Sequence, residues 1–395
     1  MKITRIETLR PPHPATVIWV LLSTEDGLSG LGETWFGAAT VEADIHERLA
    51  PALLGQDASR IAALTDAMRP YTGRTGTGAE MRALSAVEVA LWDLAGKRAG
   101  LPLADLMGGR ARERIAVYNT CCGPDYVSKS SDVRPENFGQ ANADYEDLTA
   151  FMEDPVGLAT TLDAMSVGAM KIWPFDFADG AAEGMDISPA DLARGIEPFR
   201  AIRDAFPRMG LKAELHGLWS LPAAQKICRA LEPIGVDWVE DPIWMDRPDQ
   251  LAELVASTTC PIAGGETLGG LGQIRDLIER GHVAYPIVDV TWGGGIGFAR
   301  EAAALAHGAG RPIAFHDCSG PVTLAVSTHL ALSLPNVREQ EIARGFYLTW
   351  YGAMAEGLPD LCDGTIGIPD RPGHGIALKS EVLEDPTATR RVSAL

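Results

Sequence analysis

The chain has 395 residues, with 34 Lys and Arg against 53 Asp and Glu, so its formal charge at pH 7 is −19. This length predicts roughly two or three domains, or one large barrel with a smaller unit, and an apolar share of 46 % is enough for a buried core. The acidic excess argues against nucleic acid and against an anionic membrane surface as the main partner, because both require a basic face on the protein.

Neither a targeting segment nor a membrane span is expected. Residues 1–10 alternate apolar and polar side chains without an apolar signal core. The densest apolar run, residues 17–22, is much shorter than the about 20 residues that cross a bilayer. The six cysteines are scattered without a CxxC pair, which is typical of reduced, buried thiols. The sequence therefore predicts a cytoplasmic protein.

The N-terminal part of the chain, to about residue 112, is predicted to form a mixed α+β unit. It opens with three strand-like segments, at residues 2–9, 16–24 and 28–34. A helix is predicted from Ser85 to Arg98, with Ser85 and Glu88 as a capping box at its start and Gly100 as its C-terminal cap. Strands followed by a block of helices are typical of an α+β unit.

From about residue 114 the pattern changes to regular strand–helix alternation. The short apolar strands are predicted at residues 115–120, 169–173, 211–215, 236–239, 261–263, 287–290 and 312–315. So many βα units in succession favour a closed parallel barrel over an open sheet. The polar segment 122–147 is longer than a usual loop and predicts an insertion at the barrel mouth.

One ionisable residue lies at or near the end of each of these six predicted strands from the second onward, and Glu341 follows one further unit along the chain. Because catalytic groups of such barrels lie at the carboxyl ends of the strands, these positions are the candidate site. From Glu214 onward, successive members are 23 to 27 residues apart, about one βα unit. The set comprises Lys171, Glu214, Glu240, Glu266, Asp289, His316 and Glu341.

Three of these residues predict a metal site. Glu214, Glu240 and Glu266 end consecutive strands and are expected to converge. Three carboxylates at one point repel one another unless a cation lies between them. Oxygen ligands suit a hard divalent ion, so the pattern favours Mg²⁺. The simpler alternative is that each glutamate is an independent, solvated loop residue. That explanation suits a single glutamate but not three that recur at the period of the βα unit.

Two histidines are candidates for proton transfer. Glu214 and His216 are two residues apart on a predicted strand, so their side chains are expected on one face. Asp289 and His316 end adjacent strands, which allows a carboxylate–imidazole pair with His316 as general base. The alternatives are a packed histidine at position 216 and a buried ion pair at 289 and 316.

Several motifs resemble the mandelate racemase-like branch of the enolase superfamily. The helix at 85–97, followed by the Leu-Met-Gly-Gly stretch at 106–109, resembles the domain junction of that branch, and residues 240–242 and 263–266 resemble its second and third metal-ligand motifs. The resemblance covers nearly the whole chain. It implies an α/β fold, with a modified (β/α)7β barrel and an α+β capping domain. It also implies Mg²⁺ that stabilises an enediolate formed by removing the proton α to a carboxylate.

The same resemblance implies a division of the chain into capping and barrel segments. Residues 1–113 are expected to form the N-terminal part of the capping domain, and residues 114–350 the barrel. Residues 351–395 are expected to return to the capping domain. Symmetric oligomers are common among such enzymes, so a homo-oligomer is expected.

Departures from the branch's pattern indicate the reaction. Residues 171–173 read Lys-Ile-Trp, so the second lysine of the usual Lys-x-Lys, a catalytic base, is missing. Glu214 followed by His216 is similar to the galactonate and mannonate dehydratases, which implies that His216 protonates a departing hydroxyl. By the same resemblance Glu341 helps to hold the substrate carboxylate or the enediolate, and Lys171 neutralises charge on the substrate.

The expected function is therefore a Mg-dependent dehydratase of a sugar acid, an aldonate or aldarate, that gives a 2-keto-3-deoxy acid. The nearest alternative is a racemase or epimerase of an α-hydroxy acid with His316 and His216 as opposed bases. A non-catalytic metal-dependent binding protein is an alternative from another class. The tryptophans 173, 219 and 292 are candidates for the walls of the pocket.

Overall fold

The computed structural model describes residues 1–129, 137–139 and 144–395. The predicted insertion at 122–147 therefore falls partly outside the described residues, at 130–136 and 140–143. Across the described ranges, no helix is both long enough and apolar enough to cross a membrane.

The elements are numbered in chain order. The strands β1–β16 are Ile3–Arg10, Val17–Thr24, Ser29–Trp35, Ile115–Thr120, Ala169–Ile172, Gly210–Glu214, Trp238–Glu240, Ile262–Gly264, Tyr285–Val288, Ala314–Phe315, Gln340–Ile342, Ala355–Glu356, Asp360–Cys362, Thr365–Gly367, Ala377–Leu378 and Thr389–Ala394. The helices α1–α17 are Ala38–Asp44, Ala50–Leu53, Ile61–Met68, Ala79–Ala99, Leu103–Leu106, Asp147–Glu153, Pro155–Ala164, Pro189–Ala205, Leu221–Leu231, Pro248–Ala256, Leu271–Glu279, Val290–Gly293, Gly295–Gly308, Pro321–Ser333, Arg344–Phe346, Gly352–Met354 and Ser380–Leu383. Short 3-10 helices lie at Pro174–Phe177 and Glu232–Ile234, and π-helical turns at Ile45–Leu49 and Tyr347–Tyr351.

The capping domain is built on an antiparallel sheet of order β16-β1-β2-β3. Its three N-terminal strands confirm the three predicted segments. The helix α4 packs on the sheet so closely that a Cβ added at Gly32 of β3 would lie 1.8 Å from the carbonyl oxygen of Ala86. A glycine at this position therefore sets the distance between helix and sheet.

The predicted start of α4 is wrong, although its C-terminal cap is confirmed. The helix begins at Ala79, and Gly100 ends it in the left-handed conformation with φ 68°. Ser85 is inside the helix and donates to the carbonyl oxygen of Met81 at 2.6 Å, while Glu88 reaches the backbone of α13. Neither residue caps α4, because the preceding turn is itself helical and packed into the core.

The second unit is a parallel barrel. Strands β4 to β10 follow one another in the sheet, and β11 pairs in parallel with β4. A parallel bridge between Ile313 and Val337 joins the segments that lead into β10 and β11. Helices follow each of the strands from β4 to β10, so the predicted (β/α)7β architecture is confirmed. The parallel order brings the carboxyl ends of all these strands to one mouth.

The C-terminal segment divides between the two units. Strand β16 pairs with β1 of the capping sheet, whereas the hairpin β13–β14 pairs with the first barrel strand, β4. The segment from residue 351 onward thus contacts the barrel as well as the capping domain. The exact domain boundaries remain a prediction.

Buried contacts join the capping domain to the barrel. Glu88 of α4 accepts hydrogen bonds from the backbone N–H groups of Ile296 at 2.8 Å and Gly297 at 2.9 Å, in the first turn of α13. A carboxylate at a helix N-terminus satisfies donors that have no partner within the helix. This interaction fixes the capping domain to the barrel at the start of α13.

Replacing Gly32 by Ala is expected to lower the free energy of unfolding by about 1–3 kcal/mol, because the added methyl group overpacks the contact between β3 and α4. Denaturant unfolding monitored by circular dichroism would measure the change. The matched control is Gly308→Ala at the end of α13, where an added Cβ has no atom within 4 Å. Equal stabilities of the two variants would contradict the packing argument.

Candidate active site

A cavity at the carboxyl ends of the barrel strands is lined by five of the sequence-predicted residues, Lys171, Glu214, His216, Glu266 and His316. Polar and aromatic side chains from both domains line it. They include Thr120, Tyr126, Lys171, Trp173, Glu214, His216, Glu266, Trp292, His316 and Cys318 of the barrel and Trp35 and Phe36 of the capping domain.

His316 and Asp289 form a buried pair. Nδ1 of His316 lies 2.8 Å from Oδ2 of Asp289, and His316 Nε2 lies 3.5 Å from Oε2 of Glu266. Burial lowers the pKa of His316, but the neighbouring carboxylates, Glu266 first, raise it well above its ordinary value. The ring of Trp292 packs against the imidazole at 4.7 Å between centroids. The pairing leaves Nε2 as the ring nitrogen available to a substrate.

His216 is held by a second carboxylate, which the sequence did not indicate. Its Nδ1 lies 2.6 Å from Oδ2 of Asp176, which is fully buried in the 3-10 turn after β5. Its Nε2 lies 3.2 Å from the hydroxyl of Tyr126. Burial disfavours the charged imidazole, but the charge of Asp176 outweighs this cost and raises the pKa of His216 to about 9.

The same-face argument for Glu214 and His216 does not describe their geometry. β6 ends at Glu214, and His216 lies beyond it with a left-handed backbone, φ 47°. Oε1 of Glu214 accepts hydrogen bonds from the backbone N–H groups of residues 215 and 216. Both side chains still line the cavity, because the turn after the strand directs the imidazole back towards it.

Lys171 is the centre of the carboxylate cluster. Its Nζ lies 3.2 Å from Glu214, 2.5 Å from Glu240 and 2.9 Å from Glu341, and all four side chains are buried. The second oxygen of Glu240 accepts a hydrogen bond from the indole of Trp238 at 2.8 Å. The structure thus brings Glu214, Glu240 and Glu341 together on one ammonium group.

Glu266 lies outside that ion-pair group and contacts His316 instead, at 3.5 Å from Nε2. Within the described ranges, no group of three or more His, Cys, Asp and Glu side chains is spaced to hold a metal ion. The three glutamates predicted as ligands therefore lie at neighbouring strand ends, with two of them paired to Lys171.

The charge balance of this cluster fits a divalent cation. Burial, together with the neighbouring carboxylates, raises the pKa of Glu240 well above its ordinary value even though Lys171 opposes the shift. Burial and the charge of Glu214 likewise raise the pKa of Glu266, against the opposing charge of His316. One ammonium group thus faces several buried carboxylates, so the site has unbalanced negative charge. The donor set consists of oxygen atoms, which a hard cation prefers.

Glu341 connects the cluster to two other strand ends. One of its oxygens contacts the hydroxyl of Thr120 and the other accepts a hydrogen bond from the backbone N–H of Asp317 at 2.8 Å. These contacts fix the carboxylate next to Lys171. Thr120, at the end of β4, was missed because its side chain is not ionisable.

The walls of the cavity agree only in part with the sequence analysis. Trp173 and Trp292 line the cavity, whereas Trp219 is buried away from it. The capping domain contributes Trp35 and Phe36.

The sequence analysis also missed Asp176 and Tyr126, the two residues that contact the imidazole of His216. Asp176 lies four residues beyond β5, so a search confined to strand ends could not find it.

Comparison with known proteins identifies the family. Residues 7–108 match the mandelate racemase / muconate lactonizing enzyme N-terminal domain, and residues 152–382 match the enolase C-terminal domain-like family. A D-galactonate dehydratase of Ralstonia nicotianae is 30 % identical over 401 residues, which cover 97 % of this chain and 94 % of the relative.

Solved structures agree with this assignment. An enolase protein from the Sargasso Sea environmental genome has a TM-score of 0.88 and 41 % identity, covering 100 % of this chain and 99 % of that one. An L-talarate dehydratase from Polaromonas sp. JS666, complexed with Mg and L-glucarate, has a TM-score of 0.79 and 27 % identity, also covering 100 % of this chain and 99 % of that one.

The chain belongs to the mandelate racemase / muconate lactonizing enzyme family of the enolase superfamily. Within that family its relatives group it with the acid-sugar dehydratases, and it is an enzyme of the lyase class.

Asp176→Asn is expected to lower the pKa of His216 from about 9 by about one pH unit or more, because the substitution removes the charge that stabilises the imidazolium. An NMR titration of the histidine ring protons in metal-free protein would measure the shift. Asp179→Asn is the control, since its side chain is 93 % exposed. The same His216 pKa in both variants would contradict the assigned cause.

Proposed function

We propose that this enzyme dehydrates a sugar acid, an aldonate or aldarate, to a 2-keto-3-deoxy acid. One observation carries the proposal: a single cavity contains two histidines, each oriented through Nδ1 by its own buried aspartate. Two separately supported imidazoles suit a reaction that removes a proton from one carbon and protonates a leaving group on the next. The D-galactonate dehydratase relatives support this class of reaction.

His316 is the general base in this mechanism. The neutral imidazole accepts the proton from C2, next to the substrate carboxylate, at Nε2, because Nδ1 is paired with Asp289. A cation held by Glu266 would offset the carboxylate charge that raises the pKa of His316 and so would favour this neutral form. The carboxylate of Asp289 stabilises the imidazolium that this transfer forms. The electron pair of the broken C2–H bond becomes negative charge delocalised onto the carboxylate.

His216 is the general acid. Asp176 keeps it protonated, so Nε2 can donate a proton to the hydroxyl on C3. The C2–C3 double bond forms as the C3–O bond breaks, and the hydroxyl leaves as water. The resulting enol then tautomerises to the 2-keto-3-deoxy acid, so substrate yields product and one water molecule.

Lys171 and Glu341 position and stabilise charge in the substrate. The buried ammonium group of Lys171 lines the cavity, where it can attract an anionic carboxylate. Glu341 contacts Lys171 at 2.9 Å and fixes its position. Preorganised charges of this kind stabilise developing charge without reorganisation of solvent.

Mg²⁺ is the cofactor that the carboxylate cluster would hold, with Glu214, Glu240 and Glu266 as its protein ligands. When bound, it supplies positive charge that stabilises the negative charge developing on the substrate carboxylate. This assignment rests on the unbalanced charge and the oxygen donors of the cluster.

Substitution of each histidine should separate the two half-reactions. His316→Asn is expected to lower both C2 proton exchange and dehydration by about 10²–10⁴-fold, because the base is lost. His216→Asn is expected to retain C2 exchange and to lose dehydration by a similar factor. Exchange would be followed by NMR in D₂O with a panel of acid sugars, and dehydration by assay of the 2-keto-3-deoxy product.

The control is His307→Asn, a substitution of an exposed histidine on α13. Retained C2 exchange in His316→Asn would refute the base assignment, and unchanged dehydration in His216→Asn would refute the acid assignment. A stereochemically inverted product without loss of water would instead favour the racemase or epimerase alternative.

Removal of divalent ions by a chelator is expected to abolish turnover, and Mg²⁺ is expected to restore it. Glu266→Gln should weaken Mg²⁺ binding at least about tenfold, because a ligand charge is lost. Calorimetric titration of the chelated protein with Mg²⁺ would measure the affinity without substrate. Glu253→Gln on the exposed face of α10 is the control. Full turnover in chelator, or unchanged affinity in Glu266→Gln, would contradict the metal assignment.

A further inference from the structure

Glu33, in strand β3 of the capping domain, is a fully buried carboxyl group outside the mechanism described above. Its Oε2 accepts a hydrogen bond from the indole of Trp19 at 2.7 Å. Its Oε1 accepts one from the backbone N–H of Thr323 at 2.9 Å and lies 3.0 Å from the hydroxyl of Thr323. Gly320 permits this approach, because a Cβ there would lie 2.4 Å from the carboxyl of Glu33.

A continuous series of short contacts runs from Glu33 to the general base. The hydroxyls of Thr323 and Thr291 lie 3.0 Å apart, and the hydroxyl of Thr291 lies 2.9 Å from Oδ1 of Asp289. Oδ2 of Asp289 in turn lies 2.8 Å from His316. Glu33, Thr323, Thr291 and Asp289 are all fully buried, so water does not compete for these bonds.

The number of hydrogen atoms in this series limits the protonation states of its two terminal carboxyl groups, Glu33 and Asp289. Three oxygen–oxygen contacts join Glu33 to Asp289, and each requires one hydrogen. The hydroxyls of Thr323 and Thr291 supply two. If both carboxyl groups were ionised, one contact would join two oxygen atoms without a hydrogen between them. One carboxyl group must therefore supply the third hydrogen.

The surroundings of the two carboxyl groups differ. Asp289 accepts at both oxygens, from His316 and Ser319 at one and from the N–H and hydroxyl of Thr291 at the other, which fits an ionised carboxylate. Glu33 is paired only with neutral donors among the described residues. Glu33 is therefore the carboxyl group that supplies the third hydrogen.

We propose that Glu33 is protonated and donates to Thr323, so that the chain Glu33–Thr323–Thr291–Asp289 orients the catalytic pair from the capping domain. Glu33, Thr323 and Thr291 are positioning residues in this proposal, which rests on the proposed role of His316 as general base. With Glu33 as donor, the hydroxyl of Thr323 points to Thr291 and that of Thr291 points to Asp289. Every contact then has one hydrogen.

Two further features support the assignment. The hydroxyl of Thr34, next to Glu33 in β3, donates to the carbonyl oxygen of Thr291 at 2.8 Å, so the capping domain holds Thr291 by its backbone as well. Burial raises the pKa of Glu33 to about 7, although the hydrogen bonds from Thr323 and Trp19 oppose this shift. The ionisable groups that face it include Asp317 and Tyr351, and a negative charge on Glu33 would raise the pKa of both.

Substitution of Thr323 tests the chain kinetically. Thr323→Val removes the hydroxyl while it keeps the side-chain shape and the backbone N–H that bonds to Glu33. It is expected to lower the rate of C2 proton exchange by about tenfold, with KM changed less than about twofold. Thr323→Ser restores the hydroxyl and is expected to stay within about twofold of the wild type. A merely structural role of Thr323 would not produce this difference between Val and Ser.

An infrared measurement tests the protonation of Glu33 without substrate. A difference spectrum between the wild type and Glu33→Gln at pH 6 is expected to show the carbonyl band of a hydrogen-bonded carboxylic acid in the wild type alone. If Glu33→Gln does not fold, as judged by circular dichroism, Thr323→Val serves instead. That variant is expected to shift the same band, because the acid loses its acceptor.

The outcomes separate the two proposals. Absence of C2 exchange in the wild type would refute the proposed function, whereas the infrared band would still report on Glu33. Wild-type exchange with equal rates in Thr323→Val and Thr323→Ser would refute the positioning chain and leave the proposed function intact. Absence of the acid band would refute the protonation of Glu33.

Discussion

Unbalanced negative charge buried at the mouth of the barrel governs the rest of the site. Glu214, Glu240 and Glu341 all face the one ammonium group of Lys171. Burial and mutual repulsion raise the pKa of Glu240, so additional positive charge or protons would stabilise the cluster. The same need for compensation is the basis on which the proposed function assigns a cation, and with it an anionic substrate, to a protein of net charge −19.

The capping domain is attached by the same kind of interaction. Glu88 accepts hydrogen bonds from the first turn of α13, and Glu33 accepts one from the first turn of α14. Both are carboxyl groups from the capping domain that satisfy donors at barrel helix N-termini. Because His316 directly follows β10 and α14 comes next in the chain, the second contact lies close to the pair of Asp289 and His316. The contacts that attach the capping domain to the barrel therefore also reach the pair of Asp289 and His316, to which the proposed function assigns proton abstraction.

Regular periodicity made much of the fold predictable. The pairing of neighbouring strands that brings Asp289 to His316 follows from βα units of nearly constant length, and the strand Ile115–Thr120 was predicted as the first strand of the alternation. The start of α4 did not follow, because a plausible capping box at Ser85 and Glu88 lies inside a longer buried helix. Asp176 was missed for a similar reason, since its position depends on how a turn folds back after β5 rather than on any repeat.

The sequence by itself determined the fold class and the chemical types at the strand ends, because both repeat with the period of a βα unit. Only the tertiary structure decided how those groups are paired. Lys171 binds two of the glutamates predicted as metal ligands, Glu266 lies against His316, and Asp176 supports His216. These pairings join residues far apart in the chain, and they depend on the directions of side chains in a closed space, which no local pattern of residues specifies.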